Sequence, residues 1–385
     1  MSYPALVLKA GKERAVRNRH PWVFSGAVAT EAQAEAGAVV QVVSAGGEVL
    51  AYGHYAPESP IRVRLFAFAG GPVPVFDEGF WRARWAAALA LRARHLDLSR
   101  TDGYRLLSAE GDGCPGLVVD RYADLAVAQL RGPGALALAP WLVAWLAEQG
   151  VRHVLAKAET EAETRWLLGG VNRVVFREND LRFEVNPVQG QKTGFFLDQR
   201  DARSLVGRLA HGAEVHNIFA YSGGFGVYAL AGGAQRVVSV DSSAEACRLA
   251  DTNAALNGFG PELHTTLVVD AFEYLRTLPT QGTDLIVLDP PAFTKHVGTV
   301  ERASRGYKDL NLKAFAALKP GGILATFSCS QPISRDLLRK IVFGAAADAR
   351  RPVRLLYQTG HPPDHPIDLY HPEGEYLKGL VLQVG

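Results

Sequence analysis

Two kinds of hydrophobic spacing divide this chain. From Tyr3 to about Phe68 the apolar residues come in short runs, Ala5-Leu-Val-Leu, Val39-Val-Gln-Val-Val, Val49-Leu-Ala-Tyr and Ile61-Arg-Val-Arg-Leu-Phe, broken by turns carrying Gly, Ser and Pro. Runs of that length predict the strands of a small β-barrel. The stretch Gly70-Gly-Pro-Val-Pro-Val follows neither period and reads as a linker. Trp81, Trp85 and Leu89 then recur every fourth residue, which predicts a helix with a buried aromatic side and with Arg82, Arg84, Arg92 and Arg94 mostly elsewhere on its surface. Strands at Leu117-Val-Val-Asp, 125–130 and His153-Val-Leu-Ala, with a helix over 136–148, complete an α+β unit ending near Asp180.

Beyond Leu181 short apolar strands alternate with helices, which predicts a parallel sheet covered on both faces, a doubly wound α/β domain. Its strands are expected at Glu214-Val-His-Asn-Ile-Phe, Arg236-Val-Val-Ser-Val-Asp, 265–269, Asp284-Leu-Ile-Val-Leu-Asp and Gly322-Ile-Leu-Ala-Thr-Phe. The expected division is therefore a barrel over 1–72, an α+β middle domain over 73–180 and the doubly wound domain over 181–385.

Composition narrows the classes. With 385 residues and 48% apolar content, the chain is long enough for more than one core. No run of about 20 uncharged apolar residues occurs, and the start lacks a basic-then-apolar leader, so no membrane span and a cytoplasmic location are expected. Three cysteines without short paired spacing support neither a disulfide framework nor a zinc site. A net charge of +2 leaves nucleic-acid contact to local patches.

Ligands of doubly wound sheets bind beyond the carboxyl ends of the strands, and four such ends agree on one ligand. The turn Asn217-Ile-Phe-Ala-Tyr-Ser-Gly-Gly-Phe-Gly226, holding Phe219, Tyr221 and Gly223, admits close backbone approach and is not the G-x-G-x-x-G fingerprint of dinucleotide enzymes. Asp241, with Ser242 after it, is placed to accept ribose hydroxyls, so an adenosine moiety is implied. Asp270, followed by Ala271, is placed to accept from an exocyclic amine. Asp289-Pro-Pro-Ala-Phe293 fixes a carboxylate at the same edge.

These motifs, in this order, resemble those of class I S-adenosylmethionine-dependent methyltransferases, and more narrowly the RlmI type of bacterial 23S rRNA 5-methylcytosine methyltransferases. The resemblance is carried by Arg19-His-Pro-Trp-Val-Phe-Ser-Gly26 in a PUA-like barrel, Glu110-Gly-Asp-Gly-Cys-Pro-Gly-Leu-Val-Val-Asp-Arg-Tyr122 and Gly190-Gln-Lys-Thr-Gly-Phe-Phe-Leu-Asp-Gln-Arg200. It continues through Asn217 to Gly224, Leu288-Asp-Pro-Pro, Phe327-Ser-Cys-Ser330 and Tyr376-Leu-Lys-Gly379. It implies a Rossmann-like methyltransferase domain and S-adenosylmethionine as cofactor. It also implies a lid from Lys192, Thr193, Asp198 and Arg200 over the methionine end, and large-subunit rRNA as partner, with a homodimer left open.

Carbon 5 of cytosine takes a methyl group only after a nucleophile adds at carbon 6, and a thiolate suits that step. Cys329, at the end of Leu324-Ala-Thr-Phe-Ser, is the expected nucleophile. Cys247, within a predicted helix, and Cys114 are expected to be structural. Asp289 is the candidate to hold a proton at N3, with the Pro290 carbonyl facing the exocyclic amine and Lys295 nearby. Some RNA cytosine enzymes place a second cysteine in the fourth motif; here that position reads Pro-Pro-Ala-Phe, which leaves product release to another base.

A run of Lys9, Lys12, Arg14, Arg17, Arg19 and His20 followed by Trp22 and Phe24 combines phosphate-seeking charge with stacking surface. Arg302, Arg305 and Lys308 are a second basic group. The His361-Pro-Pro-Asp-His-Pro-Ile-Asp-Leu-Tyr-His371 stretch matches no common metal spacing and is expected to line a base pocket. The competing readings are a guanine N-methyltransferase on the same scaffold, which needs no thiol, and a non-catalytic RNA-binding assembly factor.

Overall fold

The computed structural model describes residues 3–73 and 75–385, so Pro74 of the expected linker lies outside the described residues. Its contacts form two compact units, Met1–Phe176 with Val185–Phe195 and Pro363–Gly374, and Arg177–Glu184 with Phe196–Pro362 and Glu375–Gly385. The barrel and the α+β part fall in the same unit.

In that first unit a six-stranded sheet runs, in spatial order, Trp22–Phe24, Ile61–Phe68, Val49–Tyr55, Val39–Val43, Ala5–Leu8 and Val28–Thr30. Ala5–Leu8 lies parallel to Val39–Val43. Leu6, Leu8, Val40, Val42, Val63 and Leu65 point inward at alternate positions and make its core. A five-stranded sheet, Arg165–Leu168, His153–Ala156, Leu125–Leu130, Leu117–Tyr122 and Gly103–Ser108, packs with the helix Glu78–His95. Asp77 caps that helix by accepting from the Phe80 amide at 3.0 Å.

Trp81 and Trp85 are buried as their spacing requires, but so is Arg92, which is only 1% exposed. It lies seven residues after Trp85, on the same side of the helix. Its guanidinium donates to both carboxylate oxygens of Asp112, at 2.6 and 2.7 Å, and to the Asp364 carbonyl at 2.8 Å. Spacing alone cannot show such a partner, which comes from residues 20 and 272 positions away.

The second unit holds a seven-stranded sheet. We label its strands β1 (Glu214–Ile218), β2 (Arg236–Asp241), β3 (His264–Val268), β4 (Thr283–Leu288), β5 (Leu318–Ser328), β6 (Val353–Thr359) and β7 (Lys378–Val384), in spatial order β3-β2-β1-β4-β5-β7-β6. The five expected strands are parallel neighbours, while β7 runs antiparallel between β5 and β6. Neither β6 nor β7 was expected from the pattern.

Helices α1 (Arg200–Leu209), α2 (Gly224–Ala231), α3 (Ala244–Leu256), α4 (Ala271–Thr277), α5 (Val300–Ala317) and α6 (Arg335–Asp348) cover this sheet. Alternate residues of one strand feed two cores. Leu285 and Val287 pack with Ala202, Val206 and Ala229 of α1 and α2, whereas Ile286 and Leu288 pack with Leu310, Ala314 and Leu338 of α5 and α6. The unit is therefore the doubly wound, Rossmann-like α/β layer that the sequence predicts.

The buried Arg92–Asp112 pair gives a direct test. Arg92→Met should lower unfolding free energy by about 3–5 kcal/mol, because it strands a buried carboxylate. Arg94→Met, on the exposed side of the same helix, should stay within about 0.5 kcal/mol. Denaturant unfolding of both variants checks the difference.

Candidate active site

The turn after β1 is unusual in its backbone. Phe219, Tyr221 and Gly223 have φ of 62°, 45° and 72°. Two side-chain-bearing residues in the left-handed region store strain of about 1–3 kcal/mol each, of the kind found where backbone is shaped around a ligand. At Gly223 the shape is obligatory, since an added Cβ would lie 2.8 Å from the Ala250 Cβ.

Neighbouring strand ends tie this turn down. Ala220 donates to the Val240 carbonyl at 2.9 Å, and Asp289 donates to the Ile218 carbonyl at 3.4 Å. Asp241 accepts from the Tyr221 amide through Oδ2 and from the Ser243 amide through Oδ1, both at 2.9 Å. Each oxygen keeps a further lone pair for a ligand hydroxyl. Asp241 is partly exposed and Ser242 exposed.

Other expected residues have structural duties. The buried Asn217 amide donates to Ser239 Oγ at 3.3 Å, inside the sheet. Asp270 Oδ1 caps α4 by accepting from Phe272 and Glu273 at 2.9 and 3.1 Å. The Ala271 methyl belongs to the core.

The segment expected to form one lid is shared between the two units at Phe195 and Phe196. Lys192, exposed with φ of 49°, and Thr193 lie in the first. The Thr193 hydroxyl donates to Asp120 Oδ2 at 2.6 Å and meets the Tyr122 hydroxyl at 3.0 Å. In the second unit Asp198 accepts from the Tyr376 hydroxyl at 2.7 Å, and Arg200 Nε stands 3.7 Å from Glu178 Oε2. Glu178 also receives three hydrogen bonds from Arg203, at 2.7 to 2.9 Å.

Gln199, between Asp198 and Arg200, is the residue the sequence reading passed over. It is 3% exposed, and its Nε2 donates to Asp289 Oδ1 at 3.0 Å. Its Oε1 has no hydrogen-bond partner among the described residues.

Cys329 follows β5 directly. It is partly exposed, while Ser328 and Ser330 on either side are fully buried. The Tyr307 hydroxyl of α5 lies 3.0 Å from each serine hydroxyl, and Ser330 Oγ also accepts from the Thr294 amide at 3.4 Å. The Phe293 ring sits 4.7 Å from the Tyr307 ring. Tyr307 thereby fastens the Ser-Cys-Ser turn to the loop that begins at Asp289. The other thiols differ in kind. Burial pushes the Cys114 thiol up to about 12 and raises that of Cys247 on α3.

Of the remaining sequence candidates, Lys295 is exposed. Arg305 pairs with Glu301 at 3.5 Å and Lys308 with Asp348 at 2.7 Å. In the first unit the Trp22 indole is part of the packing, because it donates to Glu110 at 2.8 Å, lies 4.4 Å from the His371 ring and carries the Arg64 guanidinium 5.2 Å from its centre. Phe24 remains 48% exposed. The segment Pro363–Gly374 belongs to that unit too, where Asp364 Oδ2 accepts from the Arg105 amide at 2.9 Å. Among the described residues no helix is long and apolar enough to cross a membrane, and no group of three or more His, Cys, Asp or Glu side chains is arranged to hold a metal ion.

Comparison with known proteins agrees with this arrangement. The model of the S-adenosylmethionine-dependent methyltransferase family matches residues 127–369, and that of the PUA-like domain matches residues 6–68. Proteins named ribosomal RNA large subunit methyltransferase I are 40% identical over 392 residues in Shewanella denitrificans and 38% identical over 393 residues in Alteromonas mediterranea, each covering 98% of both chains. A putative S-adenosylmethionine-dependent methyltransferase from Streptococcus mutans superposes with a TM-score of 0.83 at 20% identity, over 99% of this chain and 100% of its own. A putative methyltransferase complexed with S-adenosylhomocysteine gives a TM-score of 0.84 at 20% identity over the full length of both. Strand order, domain content and near-complete alignment at about two residues in five agree, and the chain belongs to the S-adenosylmethionine-dependent methyltransferases, among relatives named ribosomal RNA large subunit methyltransferase I.

Proposed function

We propose that this chain methylates carbon 5 of a cytosine in large-subunit rRNA, with Cys329 adding to carbon 6 of the ring. The observation that carries this reading is the position of Cys329. It is the one partly exposed thiol of three, held at the end of β5 by the Tyr307 network that also anchors the Asp289 loop. The names of the relatives support rRNA as the substrate class.

The residues present fit S-adenosylmethionine. Asp241 would accept from the ribose hydroxyls with its spare lone pairs, the strained Phe219–Gly223 backbone would approach the ligand, and Asp270 Oδ2 is the acceptor left for the adenine amine. Asp198 and Arg200 would stand toward the methionine end, with Lys192 and Thr193 earlier in the same segment. Bound there, the cofactor supplies an electrophilic methyl group.

The protein's own part is to make carbon 5 electron-rich. The Cys329 thiolate bonds to carbon 6, and the electron pair of the 5,6 double bond moves toward carbon 5. A proton held between Asp289 and N3 stabilises the charge that develops in the ring. Gln199 fixes the Asp289 rotamer for this, and the Pro290 carbonyl would accept from the exocyclic amine that uracil lacks. After methylation a base other than a cysteine takes the carbon 5 proton, the electron pair returns to the 5,6 bond and the thiolate leaves. In the PUA-like part, the exposed Phe24 would offer stacking surface to RNA, and Lys9, Lys12 and Arg14 would offer charge.

Two measurements test this reading. Incubated with labelled cofactor and unmodified large-subunit rRNA, the wild type should yield 5-methylcytosine. Cys329→Ala should lose at least about 1,000-fold in turnover while keeping its cofactor affinity. Full turnover in that variant, or a methylated guanine as product, would replace the cytosine reading with the guanine one. By calorimetry, Asp241→Ala should bind S-adenosylmethionine about 10- to 100-fold more weakly, the equivalent of two lost hydrogen bonds.

A further inference from the structure

Lys378, the first residue of β7, is 2% exposed, and the reaction as described gives it no role. It is paired with Ser328 in the antiparallel register of β5 and β7, one residue before the nucleophile. Its Nζ donates to the Ser330 carbonyl, one residue after the nucleophile, at 2.8 Å. Lys378 thus meets both neighbours of Cys329, Ser328 through its backbone and Ser330 through its ammonium. A buried ammonium requires compensation by charge or by a full set of acceptors. Lys378 makes no ion pair with a carboxylate among the described residues.

We propose that Lys378 is the counter-ion of the Cys329 thiolate, a positioning residue that favours the ionised sulfur before addition and receives it again on release. This rests on the reading of Cys329 as the nucleophile. The charged and titratable groups around Lys378 agree. Cys329 acts on it from the turn after β5, and Tyr307 on α5 bonds both flanking serines. Glu375 and Arg335 oppose each other in sign and are themselves paired at 3.1 Å. Burial brings the Lys378 ammonium down to about 8, with the Cys329 charge working against that fall, so the group stays cationic at neutral pH.

The counter-ion role adds no proton transfer to the cycle, whose carbon 5 proton still passes to a separate base. Before substrate addition the thiol loses its proton to solvent, and Lys378 keeps its own throughout. The sulfur bonds to carbon 6 as a thiolate and departs as one, and a counter-ion that stabilises it makes it a better leaving group. This supplies part of what a second cysteine would do at the Pro-Pro-Ala-Phe position.

The test is the pH dependence of Cys329 alkylation by iodoacetamide in the full chain, followed by mass spectrometry, with Cys329→Ala as blank. In the wild type the midpoint should fall below the ordinary thiol value of about 8.5. Lys378→Met should move it up by about one unit or more, roughly a tenfold slower reaction at pH 7, and Lys378→Arg should restore most of the rate. Turnover of Lys378→Met should fall through kcat, with KM for RNA unchanged and cofactor affinity intact. An ordinary midpoint in the wild type overturns the proposal even if the variants fail to fold. So does an unchanged midpoint in folded Lys378→Met. Methylation by Cys329→Ala would instead remove the nucleophile reading, an outcome separable from the alkylation profile.

Discussion

The register of the parallel strands is the constraint on which the rest of this structure depends. Ile218 lies opposite both Val240 and Leu288, so β1, β2 and β4 end at one level. Residues that are remote in sequence, Phe219, Asp241 and Asp289, therefore share one edge. Chain order reverses between β1 and β4, which opens a crevice there rather than a continuous wall. A slip of one residue would turn Ile286 and Leu288 out of their core and carry Asp289 away from the edge at the same time.

Buried polar pairs then fix what packing leaves loose. Glu178 is fully buried and held by Arg203 in bidentate geometry, with Arg200 nearby. Such a pair adds little net stability over an apolar one, but breaking it is costly, so it specifies one arrangement of α1. The segment entering α1 carries Gln199, and that arrangement brings Gln199 to Asp289. The Arg92–Asp112–Asp364 group does comparable work in the first unit.

The three cysteines show how environment, not residue type, separates the candidate nucleophile from enclosed sulfur. Cys114 is enclosed and its thiol is held near 12, far from ionisation at neutral pH. Cys247 faces the core side of α3 and is raised as well. Cys329 ends a strand, keeps partial access and has an ammonium beside its turn. Positive charge alone does not separate the sites, since Arg84 and Arg92 also favour the Cys114 thiolate, and there burial outweighs them.

Much of this was readable from local pattern, because period and turn chemistry are local properties. The five parallel strands, the helix bearing Trp81 and Trp85, the glycine-bearing turn and the acidic strand ends could all be drawn from runs of a few residues. Asp270 shows the limit of that reading, since an acid after a strand is also a helix cap, and here it is one. Strands β6 and β7 were missed because an edge strand with exposed Leu355, Leu356 and Tyr357 and an antiparallel neighbour break the βαβ rhythm. Trp22, expected as stacking surface, is instead built into the packing by Glu110, 88 residues on. The sequence by itself determined which residues end strands and which side chains are candidates for chemistry. Only the tertiary structure decided their company, that Gln199 meets Asp289 and Lys378 flanks Cys329, because those contacts join segments 49 to 90 residues apart and no local period encodes such a meeting.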